Sequence, residues 1–437
     1  MTDRRERRVR PLLIAEACNP TWVSVPLVGW SHTQAISKLT DAHLVTQIRN
    51  RDALVGAGLV EGHDFTAIDS EPVARPIYAL AGMLRGGKGK GWTTTTALSS
   101  ASYPYFEHLV WKKFGSRLMA GEFDVVHRVT PLSPTIPSSL ASRCKAVGVP
   151  FVLGPLNGGV PWPPGFDSAR RAEKEWLSYV RDAYRLLPGY LQTRRNAAAI
   201  LIGSRDTWLQ LPRSFRGKSF YVPENAIDPA RFALVRRRKA ERPIRAVFIG
   251  RLVPYKGVDM LLEAAMPILQ SGGMTLDIIG DGPMMAQLRT TVETERLGSA
   301  VNLAGWIEHS KLQNLLVDAD VFAFPSIREF GGGVVLEAMA VGVVPIVVAY
   351  GGPGELVTPQ TGFPVPMGSR EQIISMFRTL LSDLAAKPAQ IDEKSQAAIH
   401  RARTFFTWDA KAARVLEIYR WVRGMDPRRP QYPMPEP

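Results

Sequence analysis

The sequence predicts an α/β protein of two domains, each built on a parallel sheet. Three observations predict it. Short apolar runs alternate with helix-period patterns along the whole chain. The alternation falls into two series separated by a charged stretch. A chain of 437 residues is also long enough for two cores of ordinary size.

In the first series the strands read as Pro11–Ala17, Ala42–Ile48, Phe123–Val129, Pro150–Gly154 and Ala197–Ser204. The opening "MTDRRERRVRPLLIAEACNP" mimics a signal peptide. Its apolar run is too short for one and carries Glu16, so it reads as the first strand. The Gly-, Lys- and Thr-rich stretch Leu84–Ser102 reads as a mobile surface loop. Ser168–Arg195 reads as largely helical and basic, with Trp176, Tyr179, Tyr184, Leu187 and Tyr190 among arginines. "RRRKAERP" (Arg236–Pro243) reads as the linker between domains. The second series follows, with strands at Ile244–Gly250, Met274–Gly280, Val301–Gly305, Asp320–Ser326 and Val343–Ala349. The proline-rich end, residues 426–437, reads as a disordered tail.

Composition narrows the function classes. No apolar run approaches the roughly 20 residues needed to span a bilayer. Two cysteines, Cys18 and Cys144, without metal or redox spacing fit a reducing cytoplasm. The formal charge of +14 suits polyanions or phosphorylated substrates, or is simply a solvated basic surface. No nucleic-acid-binding module is present in the sequence.

Three stretches carry candidate chemistry. In "FIGRLVPYKGVDMLLEA" a strand ends at Gly250, Arg251 and Lys256 lie in the turn, and a helix begins behind them. Two cations beside a helix N-terminus suit a diphosphate, although the same pair also reads as ordinary loop charges. "IIGDGP" places Gly282 at a strand–helix joint found in many α/β proteins. "REFGGGVVLEAMAVG" sets Glu329 before Gly331, Gly332 and Gly333, with Val334 and Glu337 in the helix that follows. Bare backbone N–H groups suit phosphate, and carboxylates accept hydroxyl groups. That combination fits a nucleotide sugar, or else a glycine-rich joint with two solvated glutamates. "DAD" (Asp318–Asp320) sits at the start of an apolar strand and is not read as a metal site.

In this order, "GRLVPYKG", "IIGDGP", "DADVFAFPS", "EFGGGVVLEAMAVGVVPIV" and "GGPGELV" resemble the C-terminal domain of the family 4 retaining glycosyltransferases (glycosyl transferases group 1). The resemblance covers roughly Val222 to Trp408. It implies the GT-B architecture, two Rossmann-like domains facing across a cleft with a C-terminal helix crossing back to the N-terminal domain. The implied boundaries are 1–225 for the acceptor domain, 226–405 for the donor domain and 406–425 for the crossover helix. By the resemblance, Arg251 and Lys256 stabilise the donor diphosphate, Glu329 contacts the donor sugar and Glu337 binds ribose hydroxyls. Gly250, Gly282, Trp306, Gly331, Gly332, Gly333 and Val334 complete the donor side. His127 would face the donor sugar from the end of its strand. Gly29, Arg49 and Asn157 are the acceptor-side candidates.

One departure stands out: Phe330 follows Glu329 directly, where the family usually reads Glu-Gly-Phe-Gly. The expected activity is metal-independent transfer of a hexose-type sugar from a nucleotide diphosphate to a glycan or lipid-linked acceptor in cell-surface polysaccharide synthesis. No metal or cofactor is expected beyond the nucleotide-sugar co-substrate, and no nucleic acid. An epimerase of the same fold and a non-catalytic nucleotide-sugar-binding protein are the alternatives. The basic, aromatic segment Ser168–Arg195 adds an anionic membrane surface as an expected partner, at the cytoplasmic face. The alternative is that its aromatics pack and its arginines face water.

Overall fold

The computed structural model describes residues 8–76, 92–158, 160–172, 189–236 and 240–432. The chain forms two compact units. One comprises the described residues of Met1–Gly159, Lys174–Glu224 and Trp408–Met434, the other those of Val160–Glu173 and Asn225–Thr407.

The first unit holds a seven-stranded sheet in the order β3-β2-β1-β4-β5-β6-β7. Its strands are β1 (Pro11–Ala15), β2 (His43–Gln47), β3 (Phe65–Ile68), β4 (Val125–Thr130), β5 (Phe151–Leu156), β6 (Ala199–Ile202) and β7 (Ser219–Tyr221). All pairings are parallel. Every residue of β1 and β4 is buried, as expected of central strands covered on both faces. The helix Trp408–Val422 buries Ala412, Val415, Ile418 and Tyr419 in this unit.

The second unit holds a six-stranded sheet in the order β10-β9-β8-β11-β12-β13. Its strands are β8 (Ile244–Ile249), β9 (Met274–Ile279), β10 (Val301–Gly305), β11 (Val321–Phe324), β12 (Val344–Val348) and β13 (Phe363–Val365). All of these pairings are parallel too. Helix Val258–Gln270 covers one face through Val258, Leu261, Leu262, Ala265 and Ile268, which recur at helical spacing. Phe248, Phe322 and Phe324 pack against one another in the core, with Phe322 and Phe324 stacked at 5.2 Å. In each sheet the strand order reverses direction once, between β1 and β4 and between β8 and β11. At such a switch point the loops leave the carboxyl ends of two neighbouring strands on opposite sides and open a crevice for ligand.

Several sequence expectations are corrected here. The short strands β3, β7 and β13 were not foreseen. Each lies at a sheet edge, and three or four residues give little pattern to read. Within the stretch read as a loop, Trp92 begins the helix Trp92–Met119. Phe106, Val110, Phe114 and Leu118 anchor that helix at i, i+4 spacing, and it extends back through the threonines. Residues 84–91 lie outside the described residues.

The linker reading fails at Arg236, which is buried and ion-paired to Asp320 at 2.8 Å and to Asp392. The chain passes between units earlier, at Glu224–Asn225. The tail is ordered through residue 432. Arg429 donates to the carbonyls of Gly217 and Ser219, and Tyr432 donates to Glu417. Trp176, Tyr179, Tyr184 and Leu187 lie outside the described residues. Of that segment's remainder, Tyr190 and Arg194 are buried, and Arg194 donates to the Tyr190 and Pro134 carbonyls.

Asp320 shows what a buried ion pair demands. Its side chain is fully buried and accepts from the guanidinium of Arg236 and from the Arg245 N–H, each at 2.8 Å. Asp320→Ala would leave Arg236 charged and buried beside one remaining partner. It should lower unfolding free energy by about 3–5 kcal/mol in urea denaturation, against at most about 0.5 kcal/mol for exposed Asp318→Ala. Equal effects of the two substitutions would refute this account of Asp320.

Candidate active site

The candidate residues gather at the carboxyl edge of the second sheet because parallel strands send all their outgoing loops to one edge. Gly250 donates its N–H to Ile279 at 3.0 Å, and Gly280 donates to Gly305 at 2.8 Å, so the ends of β8, β9 and β10 stay in step. Arg251, exposed, and Lys256 follow β8; Gly282 follows β9; Trp306, exposed, follows β10. Glu329 follows β11, the neighbour of β8 on the far side of the switch point. The helices Val258–Gln270 and Gly333–Ala340 both start at this edge, and neither has a side-chain cap on its first N–H groups.

The structure brings Lys256 and Glu329 into direct contact as an ion pair. The Lys256 ammonium also lies 5.0 Å from the ring centre of Phe324. Burial, and then the nearby Arg251 charge, pull the Lys256 ammonium down to about 7. Glu329 acts in the opposite sense by favouring the charged form. The lysine therefore exchanges its proton near neutrality while facing a carboxylate.

The Glu329 loop is held from two sides. The helix Gly351–Leu356, which follows β12 and opens with "GGPG", lies directly on it. A Cβ on Gly351 would sit 2.4 Å from the Glu329 carbonyl oxygen, and one on Gly352 would sit 2.4 Å from that of Phe330. Only glycine permits this approach, and it lets the Gly352 N–H donate to the Glu329 carbonyl at 3.0 Å. On the other side, buried Arg328 donates to the Val160 carbonyl at 3.1 Å and stacks on Trp162 and Phe330. Tyr350 donates to the Pro161 carbonyl at 3.0 Å, and Trp162 meets Tyr255 edge-on. A strap from the first half of the sequence thus braces the loop that carries Glu329.

Gly331–Gly333 lead into the helix, with Gly332 at its N-cap at φ 58°, a left-handed conformation. Val334 is half-buried in the first turn. Glu337, one turn on, accepts from His309 Nε2 at 2.7 Å, and His309 Nδ1 in turn meets Arg231 at 2.8 Å. Sequence reasoning missed His309, Arg231 and the Arg328 strap. The only available signal was that His309 lies in a loop leaving the carboxyl end of a strand.

In the first unit the picture differs. His127 was expected at a strand end facing the donor sugar; it lies inside β4, which continues to Thr130, and is fully buried. Its Nε2–H donates to the Gly154 carbonyl and its Nδ1 accepts from the Tyr419 hydroxyl, both at 2.5 Å. Burial holds the imidazole down to about 4, so it is neutral, and both nitrogens are engaged. His127 is a packing and hydrogen-bonding residue in this arrangement.

Gly29 is a packing residue too: a Cβ there would sit 2.1 Å from the Ala17 carbonyl oxygen, where helix Val25–Leu39 crosses the loop after β1. Arg49 remains at the carboxyl edge, after β2. It donates to Gln47 at 2.8 Å and lies 3.4 Å from Glu16 and 3.5 Å from Glu71. Asn157, after β5, donates to Glu224, whose carboxyl burial pushes up. The side-chain oxygen of Asn157 is buried with no hydrogen-bond partner among the described residues.

Comparison with known proteins finds a family match. Residues 232–401 match the family model "Glycosyl transferases group 1". The matched stretch lies within the second unit. The chain is 32% identical over 216 residues to a glycogen synthase of Mycobacterium tuberculosis, covering 48% of this chain and 51% of that one. It is 29% identical over 167 residues to the amylovoran biosynthesis glycosyltransferase AmsK of Erwinia amylovora, covering 36% and 41%. The chain thus spans about half the length of the curated relatives it matches. A glycosyltransferase structure from Rickettsia africae superposes with a TM-score of 0.60 at 13% identity, covering 95% of this chain and 98% of that one. That likeness is one of fold, and the fold is GT-B.

The Lys256 environment gives a pH dependence. Above about 7 the lysine is neutral and offers no charge to a phosphate. Affinity of the full chain for UDP, GDP or ADP should therefore fall as pH rises from 6 to 9 in titration calorimetry, and Lys256→Met should flatten the profile. A flat profile in the unmodified chain would rule out a titrating lysine at the phosphate position.

Proposed function

We propose that this chain is a retaining glycosyltransferase that moves a sugar from a nucleotide-diphosphate donor to a glycan or lipid-linked acceptor in cell-surface polysaccharide synthesis. One observation carries the reading: a cation after β8, Lys256, meets a carboxylate after β11, Glu329, at the switch point of the second sheet. A diphosphate needs the former, a sugar hydroxyl the latter, and the two functions sit side by side. The family match of residues 232–401 supports the same assignment.

The mechanism follows from charge. As the bond between the anomeric carbon and the diphosphate breaks, negative charge grows on the leaving oxygens. Arg251, Lys256 and the uncapped helix N-termini stabilise that charge more in the transition state than in the ground state, which raises the rate. Glu329 accepts hydroxyl hydrogen bonds from the sugar and orients it as the anomeric carbon becomes oxocarbenium-like. Glu337 accepts the ribose hydroxyls. With two cations at the diphosphate, transfer proceeds without a divalent metal. The acceptor attacks from the face the diphosphate leaves, so the anomeric configuration is retained. The acceptor side falls to the first unit, with Arg49 and Asn157 at its carboxyl edge. The excess of basic residues suits an acceptor presented at an anionic membrane surface.

The test uses the purified full chain with UDP-, ADP- and GDP-sugars, reading nucleoside diphosphate release with and without oligosaccharide or lipid acceptors. Arg251→Ala and Lys256→Ala should each lower turnover by at least ~10²-fold, the scale for losing one preorganised electrostatic contact. EDTA should leave turnover unchanged, and NMR should show the product with the donor's anomeric configuration. Near-normal turnover in both variants, or activity restored only by Mg²⁺ or Mn²⁺, would refute the charge assignment. Epimerised donor without transfer would make the chain an epimerase, and binding without turnover would make it a binding protein.

A further inference from the structure

We propose that His309 is the positioning residue that fixes the Glu337 carboxylate for the ribose hydroxyls of a bound nucleotide, with Arg231 setting the tautomer in which it does so. This rests on the reading that Glu337 faces the ribose, and it assigns a function to two residues outside the motifs that identify the domain.

The geometry leaves one consistent proton arrangement. A guanidinium donates hydrogen bonds and accepts none, so His309 Nδ1, 2.8 Å from Arg231, is the acceptor. The ring proton therefore sits on Nε2, where it donates to Glu337 at 2.7 Å. Phe232, buried beside it, packs on the ring at 5.9 Å between centroids and limits its rotation. The other charged groups of this turn, Glu308 and Lys311, face each other at 4.0 Å.

The consequence lies at Glu337, whose side chain keeps 16% of its surface exposed. A carboxylate on a helix rotates among staggered positions, and a vicinal diol needs it in one of them. His309 occupies one oxygen and pins the group, leaving the other oxygen to accept from a ligand. Preorganising a polar partner in this way stabilises the bound state by removing rotamer freedom that binding would otherwise cost. His309 reaches Glu337 from the turn after β10, where Trp306 is also exposed. The loop after β10 and the helix after β11 thereby act on the same part of a nucleotide.

A thermodynamic cycle tests this. Titration calorimetry compares UDP, GDP and ADP with their 2′,3′-dideoxy forms, using whichever nucleotide the full chain binds, in the unmodified protein, His309→Ala, His309→Gln and Glu337→Gln. His309→Ala should weaken the ribonucleotide by roughly five- to tenfold and the dideoxynucleotide by less than twofold, the scale of one net hydrogen bond. His309→Gln, whose amide reaches the position of Nε2, should restore most of the loss. If His309→Ala weakens both ligands equally, or neither, His309 does not act through Glu337 and the proposal falls. If Glu337→Gln and loss of the ribose hydroxyls have no effect, the reading of Glu337 itself is wrong, whatever His309 does.

Discussion

The contact between Lys256 and Glu329 depends on one topological constraint: β8 and β11 are neighbours in the sheet although two strands and their helices separate them in sequence. A doubly wound parallel sheet creates that adjacency once, where the winding reverses, and it sends both outgoing loops to the same edge. A cation and a carboxylate 73 residues apart are thereby placed within reach of one small molecule. The buried aromatic core beneath them, Phe248, Phe322 and Phe324, fixes the heights at which the two loops begin. Desolvation by the same surroundings brings the lysine's proton equilibrium near neutrality.

What keeps the site in shape is largely backbone. The Glu329 loop lies beneath the start of helix Gly351–Leu356, where a Cβ at Gly351 or Gly352 would clash with it, and beside a strap anchored by Arg328 and Tyr350. Phe330, directly after Glu329, fits this arrangement. Arg328 stacks on the Phe330 ring at 5.2 Å as well as on Trp162 at 4.9 Å, so the phenyl group helps hold the brace together. The position of Glu329 thus comes from a braced loop rather than from helix or strand.

Much of this was legible in the sequence, and the reasons for success and failure are physical. Central strands such as Val321–Phe324 and Val344–Val348 are buried on both faces and so read as continuous apolar runs. Edge strands of three or four residues carry no such pattern. Arg251, Lys256, Glu329 and Glu337 lie in compact strand–loop–helix motifs whose residues are close in sequence, which is why their spacing could be read. The His309–Glu337 and Arg328–Val160 contacts join residues 28 and 168 positions apart, and nothing in their local sequence announces the partner. His127 was read as facing a ligand from the strand end, although it lies three residues short of that end. β4 runs on to Thr130, and a side chain within a central strand packs in the core instead of facing a ligand at the edge.

The most direct test of the central claim asks where a nucleotide touches the chain. Hydrogen exchange read by mass spectrometry, with and without saturating UDP, GDP or ADP, should show protection of peptides covering Ile249–Met260 and Glu329–Glu337. Strand cores already buried, such as Val344–Val348, should not change. Protection confined to the first unit, with the ends of β8 and β11 unaffected by a nucleotide that demonstrably binds, would contradict the account.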